Sequence, residues 1–450
     1  MIYSLLAKQF IRSRVAITGL SFLLLAGIIS IFIGRSFIVR QQQSIAATQA
    51  YQQQHIQRTV EFANKDMGLL LYYLRFGYVN KLQPLNGLAV GQRDVNLGIQ
   101  QVSIRTLEEK KYDTDLVNPV SLVVGNFDFS FVLIYLFPLF IIAFCYNILS
   151  GEKEEGTWRL LNVQSPNAKK IILQKLQVRF LFVLAVLLLL NIIAVIVLHI
   201  PVDGPFIGIL TASTAYILFW FALCGWIISW HKNSNVNAAS LLSSWLFLTI
   251  LAPAIVNNFI ITRYPVPEAL HTIVANRDGY HKKWDEAKEP TMQKFYAHYP
   301  QLAHYGVPGK EFSWLWYYAM QQMGDDEAKQ YSTAMRDKLL QRERISNSIG
   351  YFLPSVHIQL QLNKLTRSGL SNQVAFLDSL TAFHEKKRLY FYPKIFEETP
   401  VNSEDWTAHR VEFFNETTSV NWLLLLLPFF MAIALLAGLM QFNFRRQLEI

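Results

Sequence analysis

Four hundred and fifty residues would ordinarily divide into about three soluble domains, but 52% of this chain is apolar, only 16% is charged and the mean hydropathy is +0.23. A soluble enzyme carries roughly 25% charge, so that class is excluded, as are a disordered chain and, with two cysteines, a disulfide-stapled secreted fold. The composition is that of a membrane protein.

Taken in chain order, residues 1–14 predict an amphipathic helix on a membrane surface, with Ile2, Leu5, Leu6 and Phe10 on one face and Lys8 and Arg12 on the other. Residues 15–34, between Arg14 and Arg35, supply the roughly 20 apolar residues that a bilayer crossing needs. The run is too long for the apolar part of a signal peptide and no small-residue cleavage pattern precedes Arg35, so it predicts a retained first span. An outer segment follows, 36–127. Its start, residues 41–65 with Gln41, Gln42, Gln43, Gln52, Gln53 and Gln54, reads as a polar helix continuing the span. Residues 67–78 contain Arg75 and are too short to cross, which suits an interfacial or buried helix.

Spans two to five fill 129–261: residues 129–149, broken only by Pro138, then 180–200, 206–230 and about 236–261. Cys145 and Cys224 lie inside these runs, so no bridge across an aqueous loop is available. An outer domain of 262–420, a sixth span of 422–440 and a tail of 441–450 complete a membrane all-α fold. No internal repeat is seen.

Orientation follows from the cations. One set of short segments holds Lys8, Arg12, Arg14, Lys153, Arg159, Lys169, Lys170, Lys175, Arg179, Lys232, Arg445 and Arg446, against Glu152, Glu154, Glu155 and Glu449. The opposite link, 201–205, has no cation. Both termini and the loop 150–178 are therefore predicted to be cytoplasmic, and the two long segments external. Residues 262–420 contain 19 Lys or Arg and 19 Asp or Glu, so the net charge of +9 comes mainly from the cytoplasmic edges. It reports contact with anionic lipid heads rather than nucleic acid.

The outer domain announces little chemistry. Tyr331, Ala334, Met335 and Leu339 recur at helical spacing, Pro354 and Gly369 punctuate the pattern, and 374–387 is another helical stretch. His384, Glu385, Lys386, Lys387 and Arg388 lack the second histidine of a zinc helix and read as a charged helix surface. His271, His281, His298 and His304 are scattered without metal-ligand spacing. Asp325 with Asp326, and Glu397 with Glu398, read as helix-start or loop charge. Residues 388–393, mixing a cation with aromatics, read as domain core. No catalytic residue and no metal site are assigned, and the substrate-binding residues are not identifiable. A phosphate-binding loop is absent: Gly306 to Lys310 is too short. ATP-driven work would need another subunit for the nucleotide.

The informative segment is the loop 150–178. Glu152, Glu154 and Glu155 precede Gly156 and Thr157, where Thr157 can cap a short helix carrying Trp158, Leu160 and Leu161 until Pro166 breaks it. Lys169 and Lys170, beside Ile171, Ile172 and Leu173, then feed the third span. Two readings stay open on physics alone, a docking element whose apolar face enters a partner's groove and an interfacial connector with snorkelling lysines.

Residues 152–175 resemble the signature of the ABC transporter permeases of the second export type: acids, Gly-Thr, paired leucines, a proline and a lysine opening the next span. The layout is similar too, with six spans, an amphipathic lead-in helix and an extra piece before the last span. The long outer segments resemble a bacterial subgroup with large periplasmic loops, related to the permease used in maturing nitrous oxide reductase. The resemblance implies a subunit of an ATP-driven exporter in the bacterial inner membrane, paired with a second copy or a sister chain. Two ATP-binding subunits would carry the ATP and Mg, and this chain would bind no cofactor. Glu152, Glu154, Glu155, Gly156, Thr157, Leu160, Leu161 and Pro166 would form the coupling surface. Pro138 would kink the second span beside the path, or be a static bend tolerated by packing. A periplasmic partner for the outer domain fits the same picture. Two other classes remain: a polytopic scaffold or receptor whose outer domain captures a protein, and a membrane enzyme.

Overall fold

A computed structural model describes residues 2–96, 98–111, 126–158, 163, 168–266, 268–417 and 419–446. Six of its helices are long and apolar enough to cross a membrane, as a multi-pass membrane protein requires. The first is far longer than a crossing. After α1 (Ile2–Arg12), whose last residue precedes the Ser13 cap on the amide of Ala16, α2 (Arg14–Phe62) runs 49 residues, roughly 70 Å at 1.5 Å per residue. Its first half lies in the bundle and its second half stands beyond it, as the glutamine-rich continuation predicts.

The bundle is completed by α4 (Phe129–Glu154), α5 (Ala168–Leu198), α6 (Gly204–Ile228), α7 (Ser234–Arg263) and α13 (Trp422–Arg446). Between α2 and α4 come α3 (Met67–Tyr73), β1 (Phe76–Asn80) and β2 (Ile99–Val102). Between α7 and α13 come α8 (Glu268–Lys282), α9 (Lys288–His298), α10 (Trp314–Gly350), α11 (Pro354–Leu365), α12 (Leu370–Phe396) and β3 (Glu412–Phe414). Asp66, Asp128, Asp203 and Asn233 cap α3, α4, α6 and α7 with their side chains. Pro354 opens α11 and Gly369 precedes α12, so both punctuation marks are helix boundaries.

Two hydrophobic cores result. One fills the bundle, where Ala16, Gly19, Ala26, Gly27, Ser30 and Gly34 give α2 a face of small residues. Leu190 of α5 fits against Gly27. The other core fills the distal domain and draws on both long segments at once: Ile56, Met67, Leu71, Phe76 and Ile104 pack with Phe295, Tyr318, Phe376 and Phe391. The outer segment 36–127 and the outer domain 262–420 are therefore one folded unit among the described residues, not two. A sheet stitches them together. β1 pairs antiparallel with β2 (Tyr78 with Gln100) and parallel with β3 (Val79 with Phe413), giving the order β2-β1-β3. The all-α expectation is corrected on this point, because a parallel pairing across more than 300 residues leaves no local hairpin signal.

Two further expectations change. Asp325 and Asp326 lie in the middle of α10 rather than at a helix start or in a loop. The run from His384 to Arg388 is not simply a charged surface, since His384, Lys387 and Arg388 are buried and only Lys386 is fully exposed. Residues 67–78 are no span: α3 is buried in the distal core and the chain then turns into β1. The two cysteines are free and buried.

Candidate functional site

At the end of the bundle that carries Ile2 and Arg446, α4 runs past the apolar stretch to Glu154, and Gly156 then adopts φ +76°. Only glycine takes that left-handed conformation without steric cost, which is how the chain leaves α4. The three acids have different fates. Glu152 forms an ion pair with Lys175 of α5 and accepts from the Thr157 hydroxyl. Glu154 accepts from the backbone N–H and the hydroxyl of Ser234, at 2.8 and 2.9 Å, at the first turn of α7. Glu155 is exposed, and its side chain makes no hydrogen bond or ion pair among the described residues.

Further bonds fasten the same two helices. Ser150 and Ser234 hydroxyls meet at 2.8 Å, and Asn237 Nδ2 donates to the Tyr146 carbonyl at 3.2 Å. Lys153 Nζ donates to His231 Nδ1 at 3.0 Å. Burial and the Lys153 ammonium push His231 down to about 4, so the ring is neutral at pH 7 and serves as an acceptor. On the neighbouring helix, Asn443 Nδ2 of α13 donates to Ser229 Oγ at the end of α6, at 3.0 Å. The Thr157 hydroxyl also donates to the Glu152 carbonyl at 3.1 Å; the helix it was expected to cap lies largely outside the described residues. Leu160, Leu161 and Pro166 lie outside the described residues.

Farther along α4 the helix widens by one residue at Val132–Leu136, where the N–H of Phe137 reaches back to the carbonyl of Val132. Pro138 causes the problem and the wide turn accommodates it, because proline has no N–H to offer the carbonyl four residues earlier. That carbonyl, on Ile134, accepts instead from the Tyr216 hydroxyl at 3.0 Å, and the next, on Tyr135, from Trp245 Nε1 at 3.2 Å. An equivalent wide turn occupies Phe247–Leu251 of α7, directly before Pro253.

The two wide turns face one cleft of ≈ 520 Å³ between α4, α7, α10 and α11. Ile134, Tyr135, Thr249, Pro253, Val256 and Ile260 form its apolar wall, while Arg342, Glu343, Gln359, Asn363 and Lys364 bring polar groups from the distal domain. Arg342 Nε donates to the carbonyl of Tyr264 at 2.7 Å. Burial, partly offset by a bond from Ser371, holds the Glu343 carboxyl above the usual range. An apolar cavity with a few convergent polar groups is the ordinary form of a small-molecule site.

A family model described as a domain of unknown function, DUF3526, matches residues 269–412. No curated protein and no solved structure matches the chain. The match covers α8 to α12 and reaches the first residue of β3; it includes no part of the membrane bundle or of the segment 152–157.

Sequence reasoning singled out the acids and Gly156, and the structure gathers Glu152, Glu154 and Thr157 around the ends of α4, α5 and α7. The cleft was missed. Its signal was present in Pro138 and Pro253, each inside an apolar run, and in Asn257 and Asn258, amides within the fifth span. What could not be read locally is that Arg342 and Lys364, from helices about 200 residues away from Pro138, close the other side. Among the described residues no group of three or more histidine, cysteine or acidic side chains is placed to hold a metal.

Proposed function

We propose that this chain is the permease subunit of an ATP-driven exporter of the second export type, working with two separate ATP-binding subunits that dock on the face carrying Ile2 and Arg446. That face would be cytoplasmic, as the cation count favours, and the distal domain would project into the periplasm of a bacterial cell.

The observation that carries the reading is mechanical. Residues 152–157 are held to three membrane helices at once: they continue α4, Glu152 holds α5 through Lys175, and Glu154 holds α7 through Ser234. A displacement imposed on this segment is delivered to α4 and α7 together, and those are the two helices whose wide turns wall the distal cleft. A rigid tie at one end and a loosened helix at the other convert a small push into an opening. Nucleotide drives such a change only to the extent that it binds the two arrangements with different affinity. Glu155, unlike its neighbours, is left for a partner, and we assign it the docking contact with a cation of the ATP-binding subunit. Glu152, Glu154, Gly156 and Thr157 shape and brace that surface. A second copy or a sister chain completes the transporter; ATP and Mg belong to the separate subunits.

The test is purification of the chain from its native membrane in mild detergent, as wild type and as Glu155→Arg, with identification of bound proteins and assay of ATP hydrolysis. The reading expects an ATPase in the wild-type complex and its loss, with at least tenfold lower hydrolysis, in the variant. No ATPase under conditions that keep other complexes intact would overturn it and favour a scaffold or receptor role for the distal domain.

A further inference from the structure

At the end of the bundle bearing Ile2, α1 crosses α4 and α5 and leaves a cavity of ≈ 320 Å³ beneath it. Its walls include Gln9 from α1, Ser13 from the cap of α2, Asn147 and Glu152 from α4, and Lys175 and Arg179 one helical turn apart on α5. Two acids, Glu152 and Glu155, and two cations, Lys175 and Arg179, line it, but the hydrogen bonds are unevenly shared. Glu152 is engaged by Lys175 and by Thr157, while the guanidinium of Arg179 lies against the ring of Phe10, 5.6 Å from its centroid, with Nε and Nη1 covered and without a hydrogen-bond partner among the described residues. Glu155 lines the cavity as an exposed residue at its rim. A covered guanidinium without a hydrogen-bonded anion is among the costlier arrangements in a protein, and the cationic wall fits a group that brings several acceptor oxygens.

The surroundings say where such a group comes from. Ile2 and Leu5 of α1 are 52% and 57% exposed, so its outer apolar side is uncovered among the described residues, and Lys8 and Arg12 are exposed beside them. A helix of this kind lies at the depth of lipid headgroups. We propose that the cavity under α1 is a phosphate site, occupied by the headgroup of an anionic phospholipid, with Lys175 and Arg179 as its cationic wall and Phe10 as its apolar cover. The Arg179 guanidinium swings from the Phe10 ring toward the phosphate as the headgroup enters. The lipid thereby clamps α1 to α4 and α5 beside Glu152, and it does so whether or not the chain couples to an ATPase.

The full chain is placed in bilayer discs of phosphatidylcholine, of phosphatidylcholine with phosphatidylglycerol, and of phosphatidylcholine with added inorganic phosphate. Thermal unfolding is followed in each, and lipid retained on the folded protein is counted by native mass spectrometry. Phosphatidylglycerol should raise the unfolding midpoint by several degrees and leave retained lipid on the wild type, whereas inorganic phosphate should do neither. Arg179→Gln and Lys175→Gln should each remove most of the shift and of the retained lipid. Arg179→Lys should keep part of both, and Lys8→Gln, an exposed cation on the same helix, should keep nearly all. A wild type indifferent to phosphatidylglycerol, or a shift equal in wild type and Arg179→Gln, overturns the proposal. An equal response to inorganic phosphate overturns the lipid as occupant. Should a glutamine variant fold poorly, the lipid count on its folded fraction decides.

Discussion

Two arginines, one buried and one half-buried, show how the halves of this molecule differ. In the distal domain Arg388 is satisfied within the chain: Nε donates to the carbonyl of Ile104, Nη2 to the carbonyl of Arg105 and to Asp325, and Nη1 to Gln322. Asp325 is equally occupied, accepting from the amides of Leu107 and Glu108 and from Asn276. In the bundle Arg179 has Nε and Nη1 covered and without a hydrogen-bond partner among the described residues. The first arginine is a structural rivet, joining residues 104–108 to α8, α10 and α12. The second stands at a surface where the chain meets lipid and, in our reading, the subunit that moves it. Covering the guanidinium thus has opposite meanings according to whether its partners are supplied by the fold.

The comparison is broken most forcefully at Arg388. Arg388→Met leaves Asp325 buried without its cation, which costs about 3–5 kcal/mol, and the distal domain should become sensitive to protease while the helices of the bundle stay intact. Replacing Asp325 as well, in Arg388→Met/Asp325→Leu, should recover part of the loss, because the pair and not the single charge is what the core tolerates. Resistance to protease equal to wild type in the single variant would contradict the rivet.

The joint between the halves comes next. A Cβ on Gly34 would sit 1.9 Å from the carbonyl oxygen of Gly87, so Gly34→Ala must push α2 away from the turn at Pro84–Gly87, costing about 1–3 kcal/mol. Thermal unfolding in detergent measures it. Arg179 should behave unlike Arg388. In discs of phosphatidylcholine alone, Arg179→Met removes a charge whose covered Nε and Nη1 have no hydrogen-bond partner among the described residues, so its midpoint should match or exceed that of wild type. A loss as large as that of Arg388→Met would remove the distinction.

The smallest effect is a matter of pH. A hydrogen bond to Asp326 and the nearby Glu385 raise His298 above its usual value, against the opposing effect of burial. A raised base contributes stability that is complete below the unfolded value of about 6.5 and disappears as pH climbs through the folded value. The advantage of wild type over His298→Gln should therefore be present at pH 6 and gone by pH 9, a difference that paired thermal melts resolve. An advantage that grows with pH would reverse the assignment.

Much of the bundle was legible because a bilayer imposes a length and a composition on every crossing. Arg14 marks where the first apolar run begins and α2 begins there, and the runs from 129, 206 and about 236 open one to three residues after the caps Asp128, Asp203 and Asn233. The distal domain was legible only in part. α10, α11 and α12 follow their apolar period and their Pro354 and Gly369 boundaries, but β1 needs a partner at Glu412–Phe414 that no local pattern announces. His384, Lys387 and Arg388 were misjudged because polarity was weighed over period: they fall on the same stripe as Phe391, Tyr392 and Ile395, which is the buried face of α12. At the terminal end, the acids stood out as a group in the sequence, yet only contacts with Lys175 and Ser234, from helices elsewhere in the sequence, reveal that two of them brace the bundle and one is left outward.

The central claim is that residues 152–157 move α4 and α7 and so open the distal cleft. Spin labels at Asn258, on the exposed side of α7 near the cleft, and at Arg344, exposed on α10, report that opening as a distance in the complex with its ATP-binding subunits. The account predicts that the distance distribution shifts when ATP binds, and that the shift is lost in Glu154→Ala/Ser234→Ala, where the tie to α7 is cut. A distance that ignores ATP in the wild type, or that shifts equally in the uncoupled variant, would contradict it.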